Sequence, residues 1–192
     1  MIGGELEDGE VFASVLAGLQ RGDDRAAAVV FAALHHRLLR YFRARGHRTA
    51  DDLAAEVWEA VAARIGSFSG TWPSFRAWVF VIAHRRSVEH VRRAARRRTD
   101  PHDDSAFTDL VATEHPEEEV VEQDASSRAI ALLARHLPED QAEVVLLRVV
   151  AGLDVADVAM AMDRSEAWVR VTQHRALRKL ADRLGSKEGV TR

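Results

Sequence analysis

Residues 137–184 read LPEDQAEVVLLRVVAGLDVADVAMAMDRSEAWVRVTQHRALRKLADRL, and this stretch decides the fold. Pro138, followed by Glu139 and Asp140, marks a helix start, because proline is pre-set for a first helical turn and carboxylates complement its positive end. Val144, Val145, Leu147 and Val149 are the core candidates of that helix. Gly152 ends it, and Asp154 opens a short helix whose Val155, Val158, Ala159 and Met162 pack inward. Ser165 caps a last helix with Val169, Ala176, Leu177, Leu180 and Leu184 inside, which leaves Arg170, His174, Arg175 and Arg178 on the outer face. A helix, a short helix, a tight turn and a basic helix make a helix-turn-helix, whose last helix enters the major groove of DNA.

Upstream, the same periodicity predicts three more helices. Residues Glu10 to Gln20 place Val11, Phe12, Val15, Leu16 and Leu19 inward and stop at Arg21-Gly22-Asp23-Asp24. A second helix runs from Asp24 to Arg45 with the stripe Val30, Phe31, Leu34, Leu38, Leu39 and Phe42, and Gly46 lies just past its end. Thr49 begins a capping-box-like start for a third, in which Leu53, Val57, Trp58 and Val61 face inward. Asp51, Asp52, Glu56 and Glu59 make its outer surface acidic.

Gly66 to Pro73 is a loop by composition, yet it carries Phe68 and Trp72, which either plug the local core or offer stacking faces to unpaired bases. From Pro73 a long helix follows, with Phe75, Trp78, Val79, Ile82, Val88 and Val91 inside. Its second half is strongly cationic: residues 84–98 hold seven arginines against Glu89 alone. Residues 99–124 reverse the sign, with ten acidic residues and no lysine or arginine, so local asymmetry outweighs the net charge of −3. Residues 99–116, with Pro101, Pro116 and no sustained period, read as an acidic linker holding at most a docking turn at Phe107, Leu110 and Val111. Helical spacing resumes at Val120, Val121, Ile130 and Leu133. The fold class is therefore all-α: two small helical domains, 1–98 and 117–192, joined by the linker.

Several functions are excluded or disfavoured. A chain of 192 residues, 47% apolar, has room for real cores, and no apolar run approaches the roughly 20 residues of a membrane span. The acidic opening MIGGELEDGE is unlike an export leader, so a cytoplasmic protein without membrane insertion is expected. The absence of cysteine removes disulfides and thiolate metal sites. Of the nine histidines, none makes a His-Glu-x-x-His pair, and His115 and Glu119 lie in acidic surroundings without a third ligand. His35 and His36 are expected to be one partly buried and one exposed side chain. Neither a phosphate loop nor a nucleophile elbow occurs, so no metal, cofactor or catalytic residue is expected and the chain is not read as an enzyme.

Three motifs in order, TADDLAAEVWEAV (49–61), SFRAWVFVIAHRRSVEHVRRAARRR (74–98) and LPEDQAEVVLLRVVAGLDVADVAMAMDRSEAWVRVTQHRALRKL (137–180), resemble an extracytoplasmic-function sigma factor of the sigma-70 family. The resemblance implies a region 2 that binds the clamp helices of the RNA polymerase β′ subunit and opens the minus-ten element. It also implies a region 4 that reads the minus-thirty-five element and touches the β flap, with an anti-sigma factor holding the protein inactive. On this reading Asp51, Asp52, Glu56 and Glu59 face polymerase. Trp72, Ser74, Arg85, Arg86, Arg92 and Arg93 contact minus-ten DNA. Ser165, Trp168, Arg170, Val171, His174 and Arg175 contact minus-thirty-five DNA. Arg85, Ala55 and Trp168 stand where the family commonly has Asn, Gln and Thr, so the promoter sequence does not carry over. A stand-alone helix-turn-helix regulator and a helical metal-dependent hydrolase are the competing readings, and the acidic linker has two options, shielding the arginine block or following the RNA channel of polymerase.

Overall fold

Short polar caps divide the chain into its helices. In the computed structural model, which describes residues 2–98, 129 and 134–188, every regular element is helical. After a single turn, α1 (Ile2–Glu5), Asp8 accepts hydrogen bonds from the backbone N–H of Glu10 and Val11 and starts α2 (Gly9–Gln20). Asp23 does the same through Arg25 for α3 (Asp24–Ala44), satisfying donors that a helix start leaves orphaned. Gly46, at φ +79°, turns the chain out of α3 in a left-handed conformation that a side chain resists. Helix α4 (Ala50–Ala62) follows, then a 3₁₀ turn (Ile65–Ser67) and the long α5 (Trp72–Arg98).

The C-terminal part begins at α6 (Glu139–Val145), which continues as a π turn (Leu146–Val150) and ends at Gly152, φ +70°. Asp154 then caps α7 (Val155–Met162) by accepting from Asp157 N–H, and Asp163 leaves it at φ 53°. The last helix is α8 (Glu166–Glu188). Helix α8 packs on α6 and α7, and these elements lie against α3 and α5. One apolar cluster runs through both halves, from Phe12, Tyr41, Phe42, Phe75 and Phe80 to Leu147, Val158 and Val169.

The expected helix order holds, with local corrections. Thr49 precedes α4 but makes no side-chain capping bond. Helix α5 starts at Trp72, one residue before the proline. Val11, Phe31, Val91 and Leu177, all expected to face inward, are exposed. Phe31 instead stacks on the partly buried His35, which accepts a hydrogen bond from Trp58 Nε1–H at 3.3 Å, while His36 is exposed. The linker at 99–116, its proposed docking turn, the His115 and Glu119 pair, the resumed spacing at Val120, Val121, Ile130 and Leu133, and the side chain of Leu184 lie outside the described residues.

Candidate nucleic-acid and polymerase interfaces

Helix α4 buries Leu53, Ala54, Val57 and Val61 and turns its carboxylates outward. Asp52 and Glu59 are exposed, whereas Asp51 lies 3.6 Å from Arg43 and Glu56 lies 3.7 Å from Arg86. The expected acidic surface is thus present, with two of its four groups engaged by arginines of α3 and α5.

The aromatic loop resolves in favour of the core. Trp72 is only 3% exposed and packs on Phe12 and Phe75, with ring centroids 5.6 and 5.9 Å away. Phe75 stacks on the ring and Phe12 meets it at a tilt, so little of Trp72 is left to meet a base. Phe68 is half-buried and stacks on Trp78 at 5.0 Å, and Gln20 Nε2 holds the loop by donating to the Phe68 carbonyl at 2.9 Å. What remains outward is hydroxylic, namely Ser69, Thr71 and Ser74, the last two joined at 3.1 Å.

Along α5 the arginines differ in freedom. Arg85 and Arg92 are exposed, but Arg86 and Arg93 both reach Glu89, at 3.4 and 3.3 Å. On α8, Ser165 Oγ accepts the Trp168 N–H at 3.2 Å, as expected of an N-cap, and buried Val169, Thr172, Ala176 and Leu180 seat the helix. Arg170, Val171, His174 and Arg175 are exposed along one side, so the four residues expected to face DNA share one surface. Trp168, at the start of the same helix, is partly buried against the core, with the Arg164 guanidinium 5.5 Å from its ring centre.

One constellation was not legible in the sequence. Glu143 of α6 is 2% exposed, and its Oε1 accepts from Tyr41 O–H at 2.6 Å and pairs with His84 Nδ1 at 2.6 Å. Arg45 Nε lies 3.1 Å from Oε2 while its hydrogen points to Ser87 Oγ at 3.3 Å, and Arg45 Nη2 reaches Glu139 at 3.4 Å. Burial alone would raise the Glu143 carboxyl, but the His84 hydrogen bond and the Arg45 charge outweigh it and hold the pKa below the ordinary value. Burial, then the Glu143 charge, pushes the Tyr41 phenol well above its usual range, so it stays a donor. Beside them His47, 2.7 Å from Ser87 Oγ, is lowered to about 4 by burial and by the neighbouring His90 and Arg45. A glutamate inside the apolar run of α6 was the only available signal.

No helix of the described residues is long and apolar enough to cross a membrane, and no metal-ligand cluster occurs among them. Comparisons with known proteins give the family. Residues 30–97 match the family Sigma-70 region 2, and residues 127–180 match Sigma-70, region 4. The ECF RNA polymerase sigma factor SigD of Mycobacterium tuberculosis is 32% identical over 182 residues, covering 92% of this chain and 85% of SigD. ShbA of Streptomyces griseus is 34% identical over 83% of this chain and 87% of its own, and SigF of Caulobacter vibrioides is 33% identical over 92% and 95%. The solved structure of CnrH in complex with the cytosolic domain of CnrY shares the fold, with a TM-score of 0.61 at 21% identity over 90% of this chain and 96% of CnrH. These matches run through both halves of the molecule, and the chain belongs to the ECF RNA polymerase sigma factors of the sigma-70 family.

Proposed function

We propose that the chain confers promoter choice and strand opening on core RNA polymerase and catalyses no reaction itself. Residues 1–98 act as region 2, seating α4 on the β′ clamp helices through Asp52 and Glu59, with Asp51 and Glu56 at the rim. Complementary charge there sets register and association rate more than affinity. Ser74 and the hydroxyls of its loop meet the displaced strand of the minus-ten element, and Arg85, Arg86, Arg92 and Arg93 neutralise phosphates, so binding weakens steeply with salt. Residues 117–192 act as region 4, with residues 99–116 as the linker and the β flap as a second polymerase contact.

The observation that carries the reading is the outward row Arg170, Val171, His174 and Arg175 on a helix capped by Ser165 and anchored by a buried opposite side. Arginine paired with guanine O6 and N7 gives the base discrimination that such a row needs. Trp168 acts from the edge of this row, by packing on a sugar or on the flap. The protein works in the cytoplasm, and an anti-sigma factor covering its polymerase-binding surfaces holds it inactive, as the CnrY domain accompanies CnrH in a similar fold.

Run-off transcription with core polymerase on a promoter library tests the proposal. Start-site selection above core alone is the expected result, and Arg175→Ala relaxes preference at one upstream position. No selection by the wild-type chain overturns it.

A further inference from the structure

The turn between α7 and α8 holds an exposed arginine in place at three points. Asp163, at φ 53°, leads the chain out of α7, and the Arg164 N–H then donates to the Ala159 carbonyl at 2.9 Å, just before Ser165 caps α8. The Arg164 guanidinium lies over the Trp168 ring, 5.5 Å from its centroid, and Nη1 donates to the Asp163 carbonyl at 3.3 Å. Trp168 is itself packed on the apolar core, so the platform under the cation is anchored. Arg164 remains exposed, and among the described residues no carboxylate pairs with it.

Stability does not account for this arrangement. A cation one residue ahead of an N-cap meets the positive end of the helix dipole, where carboxylates are favoured and cations are not. An exposed cation–π contact returns little against the rotamer freedom that so long a side chain gives up. Glu166, the carboxylate of the first turn, is engaged by Arg170 at 2.6 Å. Arg164 is thus a positive charge ordered in advance and kept toward solvent.

The same geometry indicates what completes it. The contact with Trp168 uses the face of the guanidinium, and the Asp163 carbonyl takes one of its five N–H donors, which leaves donors in the guanidinium plane for an anionic oxygen. In a helix-turn-helix the last helix enters the groove while the helix before it crosses the DNA backbone, so the turn joining them lies at the groove wall, and that wall is phosphate. We propose, resting on the sigma-factor reading of α8, that Arg164 is a further DNA contact of this chain, clasping a backbone phosphate beside the upstream promoter element, with Trp168 as the positioning residue that holds it there. Ordered before binding, the side chain loses little freedom on contact, so it adds affinity for every promoter alike and makes no choice among them.

Duplexes carrying the upstream element, and shuffled versions of it, are titrated across a salt series with holoenzyme and with the full chain alone, for wild type, Arg164→Gln, Trp168→Phe and Trp168→Leu. Loss of one phosphate contact lowers the slope of log affinity against log salt by about 0.9, which is about eightfold in affinity at about 0.1 M salt. Arg164→Gln is expected to show that loss equally on all duplexes, with an unchanged melting temperature. Trp168→Phe keeps a ring under the cation and should retain the wild-type slope, whereas Trp168→Leu should lose it. Arg164→Gln combined with Trp168→Leu should lose no more slope than either alone. Arg164 is exposed, so the test does not hinge on Trp168→Leu folding. A wild-type slope in Arg164→Gln overturns the contact, and a loss confined to duplexes with one particular base overturns it in favour of base reading. A wild-type slope in folded Trp168→Leu overturns the positioning role. Run-off transcription without promoter selection by the wild type, with the Arg164→Gln slope change intact on duplex DNA, instead overturns the sigma-factor reading and leaves Arg164 as a contact of a DNA-binding helix-turn-helix.

Discussion

The Arg170 guanidinium lies 2.6 Å from the Glu166 carboxylate one turn earlier on α8, both side chains in solvent. Pairs of this kind add only about 0.3–0.5 kcal/mol to a helix, so the contact matters for what it does to Arg170 rather than for folding. On the proposed reading of α8, it competes with DNA for the arginine nearest the helix start. Glu166→Gln is expected to leave the melting temperature within about 1 °C and to raise holoenzyme affinity for promoter DNA about two- to fivefold at low salt, an effect that fades as salt screens the pair. Fluorescence anisotropy across a salt series measures it. A loss of affinity confined to promoters with one particular base upstream means that Glu166 itself accepts from a cytosine amino group.

Trp72 and Ser74 are two residues apart and separate folding from function. Trp72 is enclosed by Phe12 and Phe75, whereas Ser74 is exposed. Trp72→Ala should cost about 3–5 kcal/mol in urea unfolding, since it empties a large buried volume. Ser74→Ala should leave unfolding unchanged within about 0.5 kcal/mol and slow promoter opening, followed by a fluorescent base analogue in the minus-ten element. A mild Trp72→Ala phenotype in unfolding, with a large one in opening, restores the tryptophan as a base platform.

These contrasts show which parts of the molecule a sequence exposes. Caps and helix ends were legible because their physics is local: Asp23 and Asp154 bond to donors two and three residues on, and Gly46 and Gly152 supply left-handed turns. The exposed row of α8 was legible for the same reason, since Arg170, His174 and Arg175 share a side by helical spacing alone. Trp72 was ambiguous because either reading needs a partner, and that partner, Phe12, is 60 residues away. The partners of Glu143 were not legible: its cage comes from Tyr41, 102 residues earlier, and His84, 59 earlier. The π turn at Leu146–Val150 left no trace either, because an unbroken apolar run reads alike in any helical register.

His47 gives the protein a pH-dependent stability of defined sign. Its ring is buried between Phe42 and His90, faces Arg45 and Ser87, and has its pKa lowered from 6.5 to about 4, with Glu143 as the one opposing charge. Because the folded pKa lies below the unfolded one, the unfolded chain takes up its proton first as pH falls. The contribution of the neutral ring is complete above pH 6.5, is lost progressively toward pH 4, and levels off below that. His47→Gln keeps a hydrogen-bonding group for Ser87 but does not titrate. Melting temperatures of wild type and variant between pH 7.5 and 4.5 should therefore converge by a few degrees on acidification. Parallel curves mean that the imidazole titrates normally in the folded chain.

Asp52 is the sharpest probe of the polymerase contact proposed for α4. It is exposed on α4, whereas Asp51 has Arg43 and Glu56 has Arg86 as intramolecular partners, so its charge is the readiest of the three to meet a basic clamp. Removing one rim charge changes association rate and salt dependence more than it changes the dissociation rate. Asp52→Ala should slow association with core polymerase about three- to tenfold at low salt and leave the melting temperature unchanged, while Asp51→Ala, which also strands Arg43, has a smaller effect. Surface plasmon resonance with core polymerase at several salt concentrations separates the two rates. Promoter specificity of the assembled holoenzyme should be the same for wild type and Asp52→Ala, because the residue acts before DNA is engaged. An unaltered association rate, or an equal change for Asp51→Ala and Asp52→Ala, removes α4 from the assigned polymerase contact.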